Sequence, residues 1–240
     1  KTSKYAWEIV FTWQVPGKPY GLAGRVGVIH KVIGIRNLSL STYVLRLERA
    51  GFQFRPGQCV NLGIRGGGVN REYSTYSGVD DPYLEFLVKE VKGGVVSSKL
   101  RAVSLGDEVE LHGPYGSFVV DPEKVANESF VFIGTGTGIA PFHSFVKSYP
   151  DLDYQVITGI RNMSERYDYD DYDPQRLVYC ISRDHWDGFN GRVTDFLTKS
   201  KINQKKIYYL CGNQNMIHDV YDSLRAAGVS GDRILTEAFF

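Results

Sequence analysis

The chain has 240 residues, of which 42% are hydrophobic, and its 28 basic and 27 acidic residues leave a net charge of +1. A chain of this length and composition can bury one large core or two modest ones. The balanced charge argues against a nucleic-acid-binding tail or a polyacidic segment. No apolar run approaches the ~20 residues that span a bilayer. The opening stretch carries Glu8 inside its most apolar part, which is not typical of a signal peptide.

The three cysteines, Cys59, Cys180 and Cys211, are too widely spaced for a metal knuckle or an iron–sulfur cluster. An odd number of cysteines without a paired framework favours a reducing, cytoplasmic setting. Any one-electron partner is therefore predicted to be a separate chain. The five histidines show no metal-binding spacing, and we predict no metal site and expect core or surface positions for them: His30, His112, His143, His185 and His218.

Residues 1–23 match no domain pattern and are treated as an N-terminal extension. From residue 24 to residue 121, short alternating runs such as TYVLRLER and YLEFLVKEV are separated by turn signals such as RPGQ, GGG and HGPYG. This spacing predicts an antiparallel β-barrel or sandwich. One helical window, VVSSKLRAV, interrupts the strands.

The pattern changes after a join near Asp121-Pro122, and a second domain is predicted over residues 122–240. Its apolar strands SFVFIG, YQVITGI, RLVYCIS and KIYYLCG alternate with helical segments. Such βαβ alternation predicts a parallel, doubly wound sheet. The charge-rich stretch ERYDYDDYD (165–173) is predicted to be a solvated loop.

The stretch REYS combines a cation, a flat ring and a hydroxyl. In an extended strand, side chains alternate between faces, so Arg71 and Tyr73 share one side while Ser74 lies on the other. Two interpretations are open from these residues alone. The stretch is either an edge strand with a solvated arginine or a platform for a flat, phosphorylated ligand.

The first strand of the second domain ends in GTGTGIAP (134–141). Glycines allow a phosphate close to the backbone, a helix N-terminus offers it free N–H groups, and Pro141 suits the first helical turn. The spacing departs from a dinucleotide fingerprint, and the second strand ends in Arg161, where a ribose-binding acid is usual. A tight strand-to-helix turn is the alternative interpretation.

Taken in chain order, these motifs resemble those of the ferredoxin–NADP reductase family of flavoproteins. The series is REYS, LVKEVKGGVVSSKL, GDEVELHGPYGSF, GTGTGIAPFHSF, SRD with NGRVTD, YLCGNQNM and TEAFF, and it covers the chain from about Gly24 to Phe240. The resemblance implies a β-barrel that binds FAD (or FMN), followed by a domain that binds a nicotinamide nucleotide.

In that family, the arginine of R-x-Y-S holds the flavin phosphate, the tyrosine ring lies against the isoalloxazine and the serine hydroxyl lies near flavin N5. The resemblance assigns these roles to Arg71, Tyr73 and Ser74. Charge-assisted guanidinium–phosphate bonds and ring stacking agree with that assignment.

The segment GGVVSSKL matches a second flavin-phosphate site, with Ser97 contributing N–H and hydroxyl groups or acting as a plain helix N-cap. Phe239 matches the aromatic residue that covers the flavin, although the family's tyrosine is replaced and Phe240 follows it. The resemblance implies further flavin contacts from Val88, Lys89, Gly94 and Val96.

For the nicotinamide nucleotide, the resemblance implies that Cys211 and Gly212 lie beside the reactive carbon, with the C-terminal acid Glu237 nearby. A merely buried cysteine is the alternative. The phosphates would be met by Thr137 and Gly138, and the 2′-phosphate of NADPH by Arg161, Ser182, Arg183 and Arg192. Opposing this, Arg192 could cap its helix or pair with Asp195, and Asp184 and Asp187 would weaken the positive potential.

The implied activity is hydride transfer between NADPH and FAD, with single electrons passed to or from ferredoxin, flavodoxin or another small redox protein. Ser74 and Glu237 are expected to carry the accompanying proton, and Cys211 to hold the nicotinamide in place. Two alternatives are a reductase of free flavin or ferric chelates, and an electron-transfer subunit without turnover of its own.

Overall fold

The structure, a computed structural model, describes residues 27–239, so the predicted extension and Phe240 lie outside the described residues. Its first half is an antiparallel sheet with the strand order β4-β3-β6-β1-β2-β5. An additional bridge between Thr75 and Phe86 joins the two outer strands and closes the barrel that the alternating pattern predicted. The strands are β1 Val28–Asn37, β2 Thr42–Glu48, β3 Cys59–Ile64, β4 Arg71–Ser74, β5 Tyr83–Lys89 and β6 Glu108–Tyr115.

Side-chain alternation on β5 explains how the barrel is filled on one side and joined to its neighbour on the other. Leu84 and Phe86 point into the barrel core, whereas Leu87 belongs to a separate aromatic cluster between the two sheets. Helix α1 (Ser97–Arg101) packs on the barrel, with Leu100 fully buried. Both faces of β5 are therefore buried, as its nearly continuous apolar sequence requires.

A short helix, α2 (Pro122–Val125), lies between the barrel and the second sheet. Asp121 is its N-cap, and its carboxylate accepts a hydrogen bond from Glu123 N. The predicted domain boundary falls at the start of this helix. A proline at the first helical position and an aspartate before it make Asp121-Pro122 a strong helix start.

The second half is a parallel sheet with the order β10-β9-β8-β7-β11-β12, flanked by three helices. The order reverses between β7 and β11, which is the doubly wound arrangement predicted from sequence. Among the helices of residues 27–239, none has the length and hydropathy of a membrane span. The elements are β7 Ser129–Thr135, α3 Ala140–Ser148, β8 Asp153–Ile160, β9 Leu177–Ile181, β10 Phe189–Asn190, α4 Val193–Thr198, β11 Ile207–Asn213, α5 Gln214–Ala226 and β12 Ile234–Phe239.

The two sheets share a packed aromatic cluster. Phe118, from the connection after β6, packs edge-on against Tyr209 of β11, with ring centroids 5.1 Å apart. The Tyr209 hydroxyl donates to Val119 O at 2.8 Å. Phe132 and Phe142 stack beneath them, with centroids 5.1 Å apart. This shared core restricts how far one domain can move relative to the other.

The prediction that residues 165–173 form a solvated loop holds only in part, because the segment also buries two aromatic rings. Tyr167 and Tyr172 are only 3% and 4% exposed, and both belong to the cluster between the sheets. Asp168 forms an ion pair with Arg36 of the barrel. The segment therefore buries two of its rings and binds the barrel through one carboxylate, while most of its other acids stay exposed.

Candidate nucleotide and flavin site

A cleft of about 560 Å³ opens where the strand order of the parallel sheet reverses. Its walls come from the carboxyl ends of β7, β8, β9 and β11, the usual position for ligands in such sheets. Several predicted nucleotide or flavin contacts line this cleft together: Lys89, Thr137, Arg161, Ser182, Arg183, Arg192, Gly212 and Phe239.

Beside the cleft, the glycine-containing 3₁₀ turn after β7 approaches the end of β11 closely. A Cβ on Gly138 would lie 2.4 Å from Cys211 O, and one on Gly212, which has φ +119°, would lie 2.6 Å from Thr135 Oγ1. Thr135 Oγ1 also accepts a hydrogen bond from Asn213 N at 3.0 Å. Only glycine fits both positions, so the backbone lies bare at the entrance to helix α3, as a phosphate cradle requires.

Arg161, Arg183 and Arg192 form an exposed basic wall of the cleft. None of the three forms an ion pair with any residue in the range 27–239. Arg192 is the N-cap residue of α4, but its main-chain N–H, rather than its guanidinium, donates to Asp195 Oδ2 at 2.9 Å. The capping alternative therefore does not use up the side chain, and three guanidinium groups stay available to an anion.

An acid reaches the end of β8 although the sequence places Arg161 there. Glu165 folds back through a single 3₁₀ turn, and its Oε2 accepts a hydrogen bond from Arg161 N at 2.7 Å. This carboxylate lines the cleft and fixes the main chain that carries Arg161. Spacing alone did not reveal it, because the turn shortens a four-residue separation. Further lining residues missed from sequence are Asn213, Asn215 and Asp219.

The REYS strand places its three predicted residues in different environments. Arg71 is exposed, and its guanidinium donates to Asn70 O at 2.9 Å. Tyr73 is half-buried against the barrel core, and burial raises the pKa of its hydroxyl to about 12. Ser74 is 4% exposed. An accessible cation next to a fixed ring fits a flat, phosphorylated ligand such as FAD.

The second predicted phosphate element lies at the start of α1. Val96 is the N-cap, so the interpretation of Ser97 as N-cap is wrong. Ser97 Oγ instead accepts a hydrogen bond from Val91 N at 3.1 Å, which closes the preceding turn. A Cβ on Gly94 would lie 2.9 Å from Val91 O. The turn therefore leaves backbone, rather than side chains, facing outward beside the free N–H groups of the first helical turn.

Two neighbouring residues of β5 differ in what they can contact. Val88 is fully buried in the barrel core, so only its main chain is open to a ligand, and its flavin contact stays a prediction. Lys89 points the opposite way, is exposed and lines the cleft. The cause is the two-residue period of a strand, which sends consecutive side chains to opposite faces.

Ser74 and Glu237 meet across the two domains, with Ser74 Oγ donating to Glu237 Oε2 at 3.3 Å. Burial raises the pKa of Glu237 to about 7, although the hydrogen bond from Ser74 opposes that change. Near neutral pH this carboxyl therefore exists in both protonated and ionised forms. A carboxyl poised in this way can accept or release a proton.

Two cysteines lie next to this pair. Cys211 stands opposite Glu237 in the β11–β12 register and is fully buried, with Phe239 packed against the same cluster. Burial raises the pKa of its thiol well above the usual value. Cys59, which the sequence analysis did not connect to the site, is the register partner of Ser74, and burial raises its pKa to about 12. Both are therefore neutral thiols, and contact between Cys211 and a nicotinamide stays a prediction.

The matching family models agree with this two-part site. Residues 30–120 match the oxidoreductase FAD-binding domain, and residues 132–222 match the oxidoreductase NAD-binding domain. The chain is thus an oxidoreductase with one domain for FAD and one for a nicotinamide nucleotide.

Proteins of similar sequence indicate which kind of oxidoreductase this chain resembles. The chain is 28% identical over 232 residues to the toluate 1,2-dioxygenase electron transfer component of Pseudomonas putida, covering 90% of this chain and 68% of that protein. It is 26% identical over 220 residues to the flavodoxin/ferredoxin–NADP reductase of Escherichia coli (strain K12), covering 80% and 87%. It spans 62% of the length of the propane 2-monooxygenase reductase component of Rhodococcus jostii (strain RHA1), with 30% identity and 87% of this chain covered.

Solved structures show the same fold. A ferredoxin NADP⁺ reductase from Neisseria gonorrhoeae, described with bound FAD and NADP, superposes with a TM-score of 0.78 at 21% identity, covering 89% of this chain and 98% of that chain. Together with the two domain matches, these findings confirm the resemblance read from the motifs. The chain belongs to the ferredoxin–NADP reductase family.

Proposed function

We propose that this protein transfers hydride between NADPH and FAD and exchanges single electrons with a small redox carrier on another chain. The observation that carries the proposal is the Ser74–Glu237 hydrogen bond, which joins the flavin strand to the C-terminal strand of the nucleotide domain. It joins a proton-holding group from each domain, and Glu237 lies two residues before Phe239, which lines the cleft. In this proposal, residues 24–121 form the flavin domain and residues 122–240 the nucleotide domain.

FAD would be held by Arg71 on a phosphate, by Tyr73 on the ring system and by the N–H groups at the start of α1 on the pyrophosphate. When bound, FAD supplies the step from two-electron hydride chemistry to one-electron transfer. The exposed guanidinium of Arg71 and the bare backbone at Gly94 support this assignment. No side chain would have to move away from Arg71 or from Gly94 before FAD could bind there.

Ser74 and Glu237 would hold the proton that accompanies flavin reduction. The Ser74 hydroxyl can donate toward a developing negative charge while its oxygen accepts from a protonated Glu237. The raised pKa of Glu237, about 7, supports this role, because general acids act best near the working pH. Cys211 would pack beneath the nicotinamide as a neutral thiol and take no part in proton transfer.

NADPH would bind with its pyrophosphate at the glycine turn and its 2′-phosphate at the basic wall. Arg161, Arg183 and Arg192 support that assignment, since planar guanidinium groups bind phosphate oxygens bidentately. Asp184 opposes it less than its charge implies, because its carboxylate accepts a hydrogen bond from Met163 N at 2.8 Å. The three guanidinium groups therefore face an acid whose charge is partly compensated by a main-chain donor.

The electron partner would be a ferredoxin, a flavodoxin or an equivalent carrier. The relatives support this through their names, which include a flavodoxin/ferredoxin–NADP reductase and reductase components of oxygenases. Three free cysteines among the described residues fit a reducing, cytoplasmic setting.

The test begins with the purified protein, which should be yellow and release FAD on denaturation. Anaerobic NADPH should bleach the flavin without any partner present. Ferredoxin, flavodoxin, free flavin and a ferric chelate are then compared as electron acceptors. A colourless protein that takes up no FAD contradicts the whole proposal. Reaction with free flavin or ferric chelate alone favours the reductase alternative, and absence of bleaching favours a subunit without turnover.

A further inference from the structure

Residues 36, 76, 143, 168 and 171 form an interdomain clamp. Arg36 of β1 donates to both carboxylate oxygens of Asp168, at 2.5 and 2.8 Å, and the Tyr76 hydroxyl donates to Asp168 Oδ2 at 2.8 Å. His143 of α3 stacks on Tyr76 with ring centroids 3.8 Å apart and donates from Nδ1 to Tyr76 O at 2.6 Å. Its Nε2 lies 2.8 Å from Asp171 Oδ2. Two barrel residues are thus bound to three residues of the nucleotide domain.

The clamp is built more firmly than a typical surface ion pair. Arg36 and Asp168 form a fork-to-carboxylate pair, and the Asp168 side chain is only 15% exposed. Burial raises the pKa of Asp168, but hydrogen bonds from Arg36 and Tyr76 outweigh it and hold the pKa below its usual value. Asp168 also has φ +42°, a left-handed conformation that aspartate tolerates better than most residues. The chain is bent at this point so that the carboxylate faces the barrel.

The clamp adjoins both halves of the proposed site. On the barrel, Tyr76 follows Ser74 and Thr75 directly, so its stacked ring holds the end of the flavin strand. Thr42, whose hydroxyl lies 3.0 Å from the Tyr167 hydroxyl, is the register partner of Lys89, which lines the cleft. The clamp therefore touches the end of the flavin strand, and the neighbouring Thr42–Tyr167 contact lies beside the rim of the cleft.

On the nucleotide domain, Asp168 and Asp171 of the clamp belong to the segment that leaves β8, which carries one residue of the basic wall. Arg161 begins this segment, and Glu165 fixes its backbone locally at 2.7 Å. Asp168 and Asp171 follow and reach the barrel and α3. The segment is thus held by two separate sets of contacts, one within its own domain and one to the barrel.

We propose that the interdomain clamp sets the distance and angle between the nucleotide cleft and the flavin strand, and that Arg36 and Asp168 are positioning residues for hydride transfer. The inference rests on the proposed function. The two reacting carbon and nitrogen centres would sit on ligands held by different domains, so their approach depends on how the domains are fixed. A misplacement of about 1 Å in such a geometry can cost ~100-fold in rate.

Breaking the clamp should affect hydride transfer more than nucleotide affinity. Arg161 keeps its position through Glu165, which the clamp does not touch. In Arg36→Ala, we expect the limiting rate constant of flavin reduction to fall at least about tenfold, with the NADPH dissociation constant unchanged to within about twofold. Arg36→Lys keeps the charge without the fork and should recover part of the rate.

The experiment is anaerobic stopped-flow reduction of the FAD-loaded full chain over a series of NADPH concentrations. The variants are Arg36→Ala, Arg36→Lys, Asp168→Asn and the double variant Arg36→Ala/Asp168→Asn. Asparagine is nearly isosteric and accepts the left-handed backbone, so Asp168→Asn removes the charge with little strain. The two single variants break the same ion pair. The double variant should therefore reduce its flavin no more slowly than the slower of the two single variants. Arg65→Ala is the matched control, since it breaks an exposed ion pair with Glu108 that lies within the barrel domain and does not join the two domains.

Tyr76→Phe provides a milder break if Arg36→Ala does not retain flavin. It removes only the hydroxyl that donates to Asp168 and keeps the ring stacked on His143, and a smaller fall in the limiting rate is expected. The clamp is not a positioning device if Arg36→Ala has the wild-type limiting rate of flavin reduction. If Arg36→Ala does not retain flavin, a wild-type limiting rate in Tyr76→Phe overturns the proposal in the same way. Equal losses in rate and in NADPH affinity also overturn it. A wild-type protein that NADPH does not reduce contradicts the proposed function itself, whereas normal wild-type reduction with unaffected variants contradicts the clamp alone.

Discussion

Replacing Glu237 by Gln should remove a pH dependence of stability that the wild-type protein has between about pH 4.5 and 7. An ordinary glutamate ionises near 4.5, but burial raises the pKa of folded Glu237 to about 7. Between those values, the folded protein holds a proton that the unfolded chain has lost. Unfolding then releases a proton, so raising the pH lowers the free energy of unfolding.

The size of this effect follows from the change in pKa. A rise from 4.5 to about 7 corresponds to up to about 3 kcal/mol, at ~1.4 kcal/mol for each pH unit. This contribution is fully present below pH 4.5, declines as the pH rises and is absent above about 7. Glutamine cannot ionise. As the pH rises, the free energy of unfolding of Glu237→Gln should therefore increase relative to that of wild type, by up to about 3 kcal/mol at pH 8.

Urea denaturation at pH 4.5, 5.5, 6.5, 7.5 and 8.5 measures this difference directly. Glu108→Gln is the control, because Glu108 is exposed and forms only an ion pair with Arg65. Ser74→Ala adds a second check, since loss of the hydrogen bond that lowers the pKa of Glu237 should move the inflection to higher pH. Parallel stability curves for wild type and Glu237→Gln would refute the argument that this carboxyl is neutral in the folded protein below pH 7.

Three further predictions concern the site. Ser74→Ala should slow flavin reduction by ~100-fold while FAD stays bound, because a donor aimed at developing charge is lost; stopped-flow reduction at the wild-type rate would make Ser74 purely structural. Arg183→Ala should raise the Michaelis constant for NADPH at least about tenfold and barely change that for NADH; equal weakening of both nucleotides would contradict the 2′-phosphate assignment. Gly138→Ala should lower the free energy of unfolding several times more than Gly136→Ala, which should lose only about 1 kcal/mol in thermal unfolding. The reason is that a Cβ on residue 138 would meet Cys211 O at 2.4 Å, whereas Gly136 faces open space. Equal losses would contradict the close packing of this turn.

Local patterns in the chain determined the fold class and the main ligand-binding motifs. Alternating runs predicted the antiparallel barrel and βαβ alternation predicted the parallel sheet, with a join near Asp121-Pro122 where the structure has a short helix. These features arise from side-chain periodicity and backbone restraints that act over a few residues. Strands β10 and β12 were not predicted, because β10 has two residues and β12 borders the chain end with a mixed burial pattern.

Contacts between distant parts of the chain were decided only by the tertiary structure. The sequence predicted roles for Ser74 and Glu237 through family resemblance, but their hydrogen bond and the raised pKa of Glu237 depend on burial between two domains. The segment 165–173 was only partly predicted, because its charges are typical of solvent exposure, whereas Asp168 meets Arg36, 132 residues earlier in the chain. Periodicity indicates which face of an element is buried. It carries no information on which remote side chain will meet that face, and here that pairing determines both the proton-holding group and the interdomain clamp.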